Sequence, residues 1–244
     1  MTDDEPTSVV IETARLRLRL LRDDDLADLV ALIGNWEVAR WVSSVPHPHS
    51  EADGREWIEM VQKDHATGCP RRFAVALKEN DRIIGGVGLD GDTGTETDEP
   101  ALGYWLGQPY WGKGYGREAV AAVIDYGFRT LGIRTIRAYT DPSNTTSQKV
   151  LLHCGLINFG EVELTKPTRH GARRAPLFRI SQPEFCKRPL NRHKPVSSLP
   201  NSPYQPSWRR ELPRVFQISR RRYSRISECH GEPEGGFGYA RHPL

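Results

Sequence analysis

The feature that most constrains this chain is the run Tyr104-Trp105-Leu106-Gly107-Gln108-Pro109-Tyr110-Trp111-Gly112-Lys113-Gly114-Tyr115-Gly116-Arg117-Glu118-Ala119. An apolar segment, Ala101–Leu106, enters it and reads as a strand. An amphipathic segment leaves it, with Val120, Val123, Ile124, Phe128 and Leu131 at helical spacing and Gly132 placed to stop the helix. A strand–turn–helix of this kind exposes consecutive backbone N–H groups at a helix start, where unpaired donors and the helix dipole favour an anion. Gly114 and Gly116 lack a Cβ, so a phosphate could approach the backbone, and Lys113 and Arg117 add positive charge. Glycine spacing alone fits a turn shaped only for its own geometry equally well. Two better-known phosphate loops are excluded. The spacing is not that of a dinucleotide fingerprint, and no Gly-Lys-Ser/Thr is present.

Around this turn the periodicities alternate. Arg15-Leu16-Arg17-Leu18-Arg19-Leu20 alternates strictly, as a half-buried strand does. Asp23, Asp24 and Asp25 suit a helix start, followed by Leu26, Leu29, Val30 and Ile33 at helical spacing. A second helix is expected from about Glu51 to near Gly68. Phe73–Leu77 and Ile83–Leu89 read as a hairpin through Glu79-Asn80-Asp81, and the acidic stretch from Asp90 to Glu99 as a loop. Ile133–Thr140 reads as a strand, Ser147–His153 as a short helix, and Val162–Leu164 and Pro176–Ile180 as the last strands. Hairpins come first and strand–helix–strand second. The expected class is therefore α/β of the mixed, α+β kind, with helices on both faces of one sheet.

Composition separates a front from a tail. Residues 187–244 hold 12 of the 34 Lys+Arg, 4 of the 31 Asp+Glu and 8 of the 18 prolines. The front is thus net acidic (22 basic against 27 acidic residues), although the whole chain carries +3. A segment with so few periodic apolar positions cannot offset its ordering entropy, so it is expected to be a disordered basic tail. Its arginines, interleaved with Trp208, Phe216 and Tyr223, leave open a nucleic-acid arm as the less favoured reading. No apolar run reaches membrane-spanning length, and the four scattered cysteines form no CxxC pair, which points to a cytoplasmic, reducing setting. His47 and His49 lack metal-ligand spacing, and no metal is expected.

Trp111-Gly112-Lys113-Gly114-Tyr115-Gly116 resembles the Gln/Arg-x-x-Gly-x-Gly/Ala turn of the GNAT acetyltransferases, with Trp111 in place of the Gln/Arg. The Tyr-Trp-Gly-Lys-Gly-Tyr run is similar to the RimJ/RimL branch of that family. So are Thr13-Ala14-Arg15-Leu16-Arg17-Leu18-Arg19, Val38-Ala39-Arg40-Trp41, Ile84–Leu89, and Asn144-Thr145-Thr146-Ser147-Gln148-Lys149-Val150-Leu151 with Cys154-Gly155-Leu156. The resemblance covers Ile11 to Phe185. It implies a central, mostly antiparallel twisted sheet, with residues 1–10 as a flexible start, 11–186 as the domain and 187–244 as the tail.

The resemblance further implies an N-acetyltransferase in which an amine attacks the thioester of acetyl-CoA directly. The turn from Trp111 through Gly112, Lys113, Gly114, Tyr115 and Gly116 to Arg117 would hold the pyrophosphate. The backbone N–H near Leu106 would serve the oxyanion, Asn144 would lie beside the pantetheine, and Ser147 would protonate the leaving thiolate. Asn144 and Ser147 are equally ordinary helix caps. Relatives often carry a Glu where Ala101 stands, and Glu99, two residues earlier and on the same face if the strand extends that far, is the candidate base or water-orienting group. Without a dedicated carboxylate a low-pKa acceptor is favoured. Roughly a tenth of an α-amine is neutral near pH 7, against less than a thousandth of a lysine. Tyr104, Trp105, Tyr110 and Trp111 read as packing and cleft-wall residues; Trp36 and Trp41 read as core packing or as the acceptor groove. The partners implied are acetyl-CoA and an amine acceptor, for a monomer or homodimer. The alternative is an acyl-CoA-binding sensor or scaffold of weakened turnover.

Overall fold

The computed structural model describes residues 9–42, 44–90, 99–182 and 185. The expected flexible start (but for its last two residues), almost all of the acidic loop before Glu99 and the basic tail lie outside them. Eight strands form one sheet: β1 Ile11–Glu12, β2 Leu16–Arg19, β3 Arg72–Leu77, β4 Ile83–Asp90, β5 Ala101–Leu106, β6 Thr135–Tyr139, β7 Ile157–Glu163 and β8 Arg174–Ser181. Their order is β1-β2-β3-β4-β5-β6-β8-β7, and every neighbouring pair is antiparallel except β5 and β6. The helices are α1 Leu26–Gly34, α2 Trp36–Ala39, α3 Glu51–Ala66, α4 Tyr115–Arg129 and α5 Thr145–His153.

Helices cover both faces, as the mixed pattern predicts. On one face Val120, Val123, Ile124 and Phe128 of α4 bury against Leu16, Leu18, Ile84, Leu102 and Ile136. On the other, Leu29 of α1 and Ile58 and Val61 of α3 bury against Ala74, Ala76 and Ile83. Helix α3 begins where a reciprocal cap forms: Asp53 N donates to Ser50 Oγ, and Ser50 N donates to Asp53 Oδ2 at 2.7 Å. The alternation in β2 predicts a strand with one wet face, yet Arg19 is 2% exposed. Its guanidinium grips Asp25 through two bonds of 2.7 and 2.9 Å and also reaches Asp81. A buried charge is tolerable only when paired in this way.

One joint in the sheet positions everything that follows. Strands β5 and β6 pair at a single point, Ala101↔Arg137, through Arg137 N donating to Pro100 O. Beyond it they diverge. Gly107 N donates to Ile84 O, so Leu106↔Gly85 is a non-hydrogen-bonded pair of the β4–β5 ladder. The N–H of Leu106 therefore points away from β4, into the gap, and by the two-residue period so does that of Tyr104. The sheet opens as a V beside the start of α4.

The sequence reading places most elements within one or two residues but misses β1, α2 and most of β7. Strand β7 is an edge strand whose middle residues are exposed, with a register shift between Asn158 and Glu161 and Gly160 at φ 99°. No alternation survives such a bulge.

Candidate active site

The strand–turn–helix takes the expected form. After Leu106 a short 3-10 turn, Gln108–Tyr110, leads to Gly112 (φ 72°) and to Gly114, which starts α4 in the left-handed region (φ 82°). That conformation is one an L side chain adopts only with strain, and it removes any side-chain cap from the helix start. The first N–H groups of α4 are left for a ligand. Lys113 and Arg117 border them, Arg117 lying 3.5 Å from His153 Nε2. Glu118, in the same first turn, would repel an anion were it not neutralised. It accepts from Thr13 Oγ1 (2.6 Å) and Arg15 N (2.7 Å) and pairs with the Arg15 guanidinium at 2.7 Å. Burial pushes the Glu118 carboxyl up, but these bonds more than offset it and hold it below the usual range. Arg15 also donates to Lys113 O at 2.9 Å and stacks on Tyr115, so the β1–β2 corner braces the turn. The opening Thr13–Arg15 segment thereby acquires a role that strand alternation does not reveal.

Trp111, which departs from the family's pattern, does structural work. Its indole Nε1 donates to Leu106 O at 2.7 Å and fixes the end of β5. Asn144 caps α5, its Oδ1 accepting from Ser147 N at 3.0 Å. Ser147 Oγ lies 2.9 Å from the Tyr104 hydroxyl. Burial pushes that phenol up to about 12, so it stays protonated. Tyr104, expected as a wall residue, is thus half of a hydroxyl pair at the V. Its partner lies 43 positions away in sequence, a separation at which no local pattern joins two residues.

Glu99 is not part of this group. It lies before Ala101, at the far end of β5 from the turn, and its carboxylate is gripped by the Arg179 guanidinium, Nε to Oε2 at 3.0 Å and Nη2 to Oε1. The structure thus brings together Leu106, the turn from Trp111 to Arg117, Asn144 and Ser147, and leaves Glu99 apart in an ion pair. Cys154 is no nucleophile either: its thiol is buried, pushed up to about 12, and directed at Arg117 O.

On the α1/α3 face a cavity of ≈ 200 Å³ reaches the same strand, with Val42, Val45, Trp57, Met60, Tyr104 and Trp105 among its walls. Trp36 and Trp41 are not core residues. Trp36 is half-exposed beside His47, and Trp41 stacks on His170 with ring centroids 4.5 Å apart. His49 borders the cavity with both ring nitrogens shielded, and burial lowers its affinity for a proton.

These features match known proteins. Residues 15–157 match the family described as the acetyltransferase (GNAT) domain. The chain is 34% identical over 139 residues to the uncharacterized N-acetyltransferase p20 of Bacillus licheniformis, covering 57% of this chain and 77% of that protein. It is 31% identical over 160 residues to the [ribosomal protein uS5]-alanine N-acetyltransferase of Escherichia coli, covering 62% and 80%. Among solved structures, the ribosomal-protein-S5-alanine acetyltransferase of Vibrio fischeri superposes with a TM-score of 0.62 at 24% identity, covering 71% of this chain and 96% of that one. RimJ of Mycobacterium smegmatis, solved with CoA-disulfide, superposes at 0.59 and 19% identity, covering 72% and 88%. The protein belongs to the GNAT family of acetyltransferases.

Proposed function

We propose that the protein transfers the acetyl group of acetyl-CoA to an amine, a protein N-terminal α-amine or a small-molecule amine, by direct attack in a ternary complex. The observation that carries this reading is the V between β5 and β6. The open start of α4 lies at one side of it, and the cavity on the α1/α3 face reaches β5 from the other. Two substrates can then meet through the sheet without a covalent enzyme intermediate, and the inert Cys154 thiol fits that absence. Bound acetyl-CoA supplies the activated acyl group.

In this reading the chain's own groups divide the work. The N–H groups of Tyr115, Gly116 and Arg117, with Lys113, hold the pyrophosphate. Gly112 and Gly114 shape the backbone for that contact. The Leu106 N–H donates to the charge that develops on the carbonyl oxygen. Asn144, its Oδ1 engaged in the cap, has its amide N–H groups to offer the pantetheine, and Ser147 gives the departing sulfur a proton that Tyr104 replaces. On this account Glu99, held by Arg179 at the far end of β5, does not serve as the base. An α-amine suits such a site, since an appreciable fraction is already neutral at pH 7. The names of the uS5-alanine relatives point the same way. Among the described residues no helix is long and apolar enough to cross a membrane, and the supply of acetyl-CoA favours the cytoplasm.

A thiol-release screen over α-amines, lysine side chains, polyamines and aminoglycoside-like amines tests the proposal. Acetyl-CoA-dependent release with at least one class supports it. Tight acetyl-CoA binding with no release from any class would favour the sensor reading instead.

A further inference from the structure

Opposite the Ser147–Tyr104 pair, the structure gathers a second set of polar groups that the family's motifs do not include. Asp141 lies two residues beyond the end of β6 and is 7% exposed. Its Oδ1 accepts from Ser143 N (2.8 Å) and Ser143 Oγ, and its Oδ2 accepts from Thr168 Oγ1 and lies 3.3 Å from His170 Nδ1. Burial pushes this carboxyl up, but its hydroxyl and backbone donors, with His170, hold it below the usual range. It is therefore an anion aimed at one nitrogen of His170. The other nitrogen, Nε2, accepts a long 3.3 Å bond from Arg40 Nε, and the ring stacks on Trp41. With Arg40 Nε donating to Nε2 and a carboxylate 3.3 Å from Nδ1, the contacts favour the tautomer in which Nδ1 carries the proton and Nε2 the lone pair. An oriented imidazole of this kind is a general base awaiting a substrate.

The position of the pair is set by its neighbours. Asp141 O accepts from the backbone N–H of Asn144, the residue that caps Ser147. Next to His170, Arg169 donates to Val45 O, and Val45 lines the cavity whose walls include Tyr104. These contacts tie Asp141 and His170 to the start of α5, which carries Ser147, on one side and to Val45 in the cavity wall on the other. The charged groups facing the imidazole are Asp141 after β6, and Arg40 at the end of α2, itself 3.4 Å from Glu37. Trp41 and Thr168 complete its surroundings. Exchange of the weak Arg40 contact for an incoming ammonium keeps Nε2 hydrogen-bonded throughout.

We infer that His170, oriented by Asp141, is the base that takes a proton from the acceptor ammonium, the task for which Ala101 offers no carboxylate. The inference rests on the acetyl-transfer reading. Of the three ammonium protons, one passes to His170 Nε2 and then to solvent. A second leaves nitrogen for solvent as the C–N bond forms and the C–S bond breaks, while sulfur takes a proton from Ser147, Ser147 takes one from Tyr104 and Tyr104 regains one from solvent, so that one proton is released per turnover. The third stays on the amide. The role of Asp141 is to position: it never touches the substrate.

The test uses the full chain, a peptide with N-terminal alanine and, as a second acceptor, whichever amine the thiol-release screen finds fastest. His170→Gln should lower kcat at least tenfold at pH 7, leave the calorimetric acetyl-CoA affinity within twofold, and regain most of the loss above pH 9, where an α-amine arrives already neutral. Asp141→Asn should show the same pH rescue. Nitrogen NMR of the free wild type should find the His170 proton on Nδ1, and Asp141→Asn should shift it toward Nε2. A His170→Gln deficit that stays constant from pH 7 to 9.5, or no deficit at all in an active protein, overturns the inference. So does an Nε2-protonated ring in the wild type. If the wild type itself turns over no amine, the acetyl-transfer reading fails, and the NMR tautomer still reports on the dyad separately.

Discussion

Two glycines two residues apart should respond oppositely to the same substitution, and the contrast isolates the cofactor turn. Gly114 sits at φ 82°, where a Cβ would meet Arg15 Nη2 at 3.4 Å and Arg117 Nη2 at 3.7 Å. Arg15 cannot swing away without giving up Glu118. Gly114→Ala therefore carries the left-handed penalty of roughly 1–2 kcal/mol, a fall in Tm of about 2–8 °C for a domain of this size. Gly116 lies within the first turn of α4, and its added Cβ would meet only Leu106 Cδ1 at 3.6 Å and Tyr104 at 3.8 Å, ordinary contacts. Gly116→Ala should gain roughly 0.5–1 kcal/mol from helix propensity, raising Tm by about 1–4 °C. Strain present in both free and bound protein leaves Kd unchanged, so calorimetry reads something else: whether the altered backbone still meets the pyrophosphate. Gly114→Ala should weaken acetyl-CoA at least tenfold, about 1.4 kcal/mol, and Gly116→Ala by less than threefold. A folded Gly114→Ala variant with unchanged affinity would remove the pyrophosphate from this turn. A lower Tm for Gly116→Ala would contradict the ordinary contacts its Cβ would make.

Ser147→Ala should lower kcat about a hundredfold or more with acetyl-CoA Kd nearly unchanged; equal losses in both would make Ser147 only a binding or capping residue. Asp25→Asn, which leaves the buried Arg19 guanidinium with Asp81 but without its two-bond partner, should cost up to about 3–5 kcal/mol, read as a Tm drop of at most about 6–20 °C. Acid should act at Asp81, whose carboxyl burial raises but Arg19, Arg17 and Arg22 more than offset, so that its pKa lies below normal. Its contribution is complete above the unfolded value of about 3.9 and declines as pH falls through the lower folded value, so Asp81→Asn should flatten the Tm–pH curve below about pH 4. A chain ending at Cys186 should keep Tm and kcat/KM, because it retains Phe185, whose ring packs 5.2 Å from that of Phe128. Ending before Phe185 should lower Tm.

The turn was legible because its signal is local. Glycine spacing, the entering strand and the leaving helix lie within a few turns of one another, and the family resemblance orders the rest. The mixed sheet was legible for the same reason: β3, β4 and β5 are short apolar runs and α4 carries an apolar face at helical spacing. What escaped depends on contacts between distant residues. Tyr104 becomes chemical only through Ser147, and Arg15 only through Glu118. Asp141 and His170 meet because the β7–β8 loop folds back on the end of β6, and a polar loop has no periodicity to announce that. Arg19 defeated the alternation rule since its burial is set by a carboxylate outside the strand. Trp36 lies half-exposed because α2 turns Val38 and Ala39 inward instead, and Trp41, just past that helix, stacks on His170 from a distant loop.

The central claim is direct acetyl transfer across the V of the sheet. Initial rates with acetyl-CoA and an N-terminal-alanine peptide varied together, and the peptide product weighed, test it most directly. Intersecting reciprocal plots, with one acetyl group gained on the peptide α-nitrogen per CoA released, are the predicted result. Parallel plots with an acetylated protein intermediate, or CoA release that leaves the peptide unmodified, would contradict it.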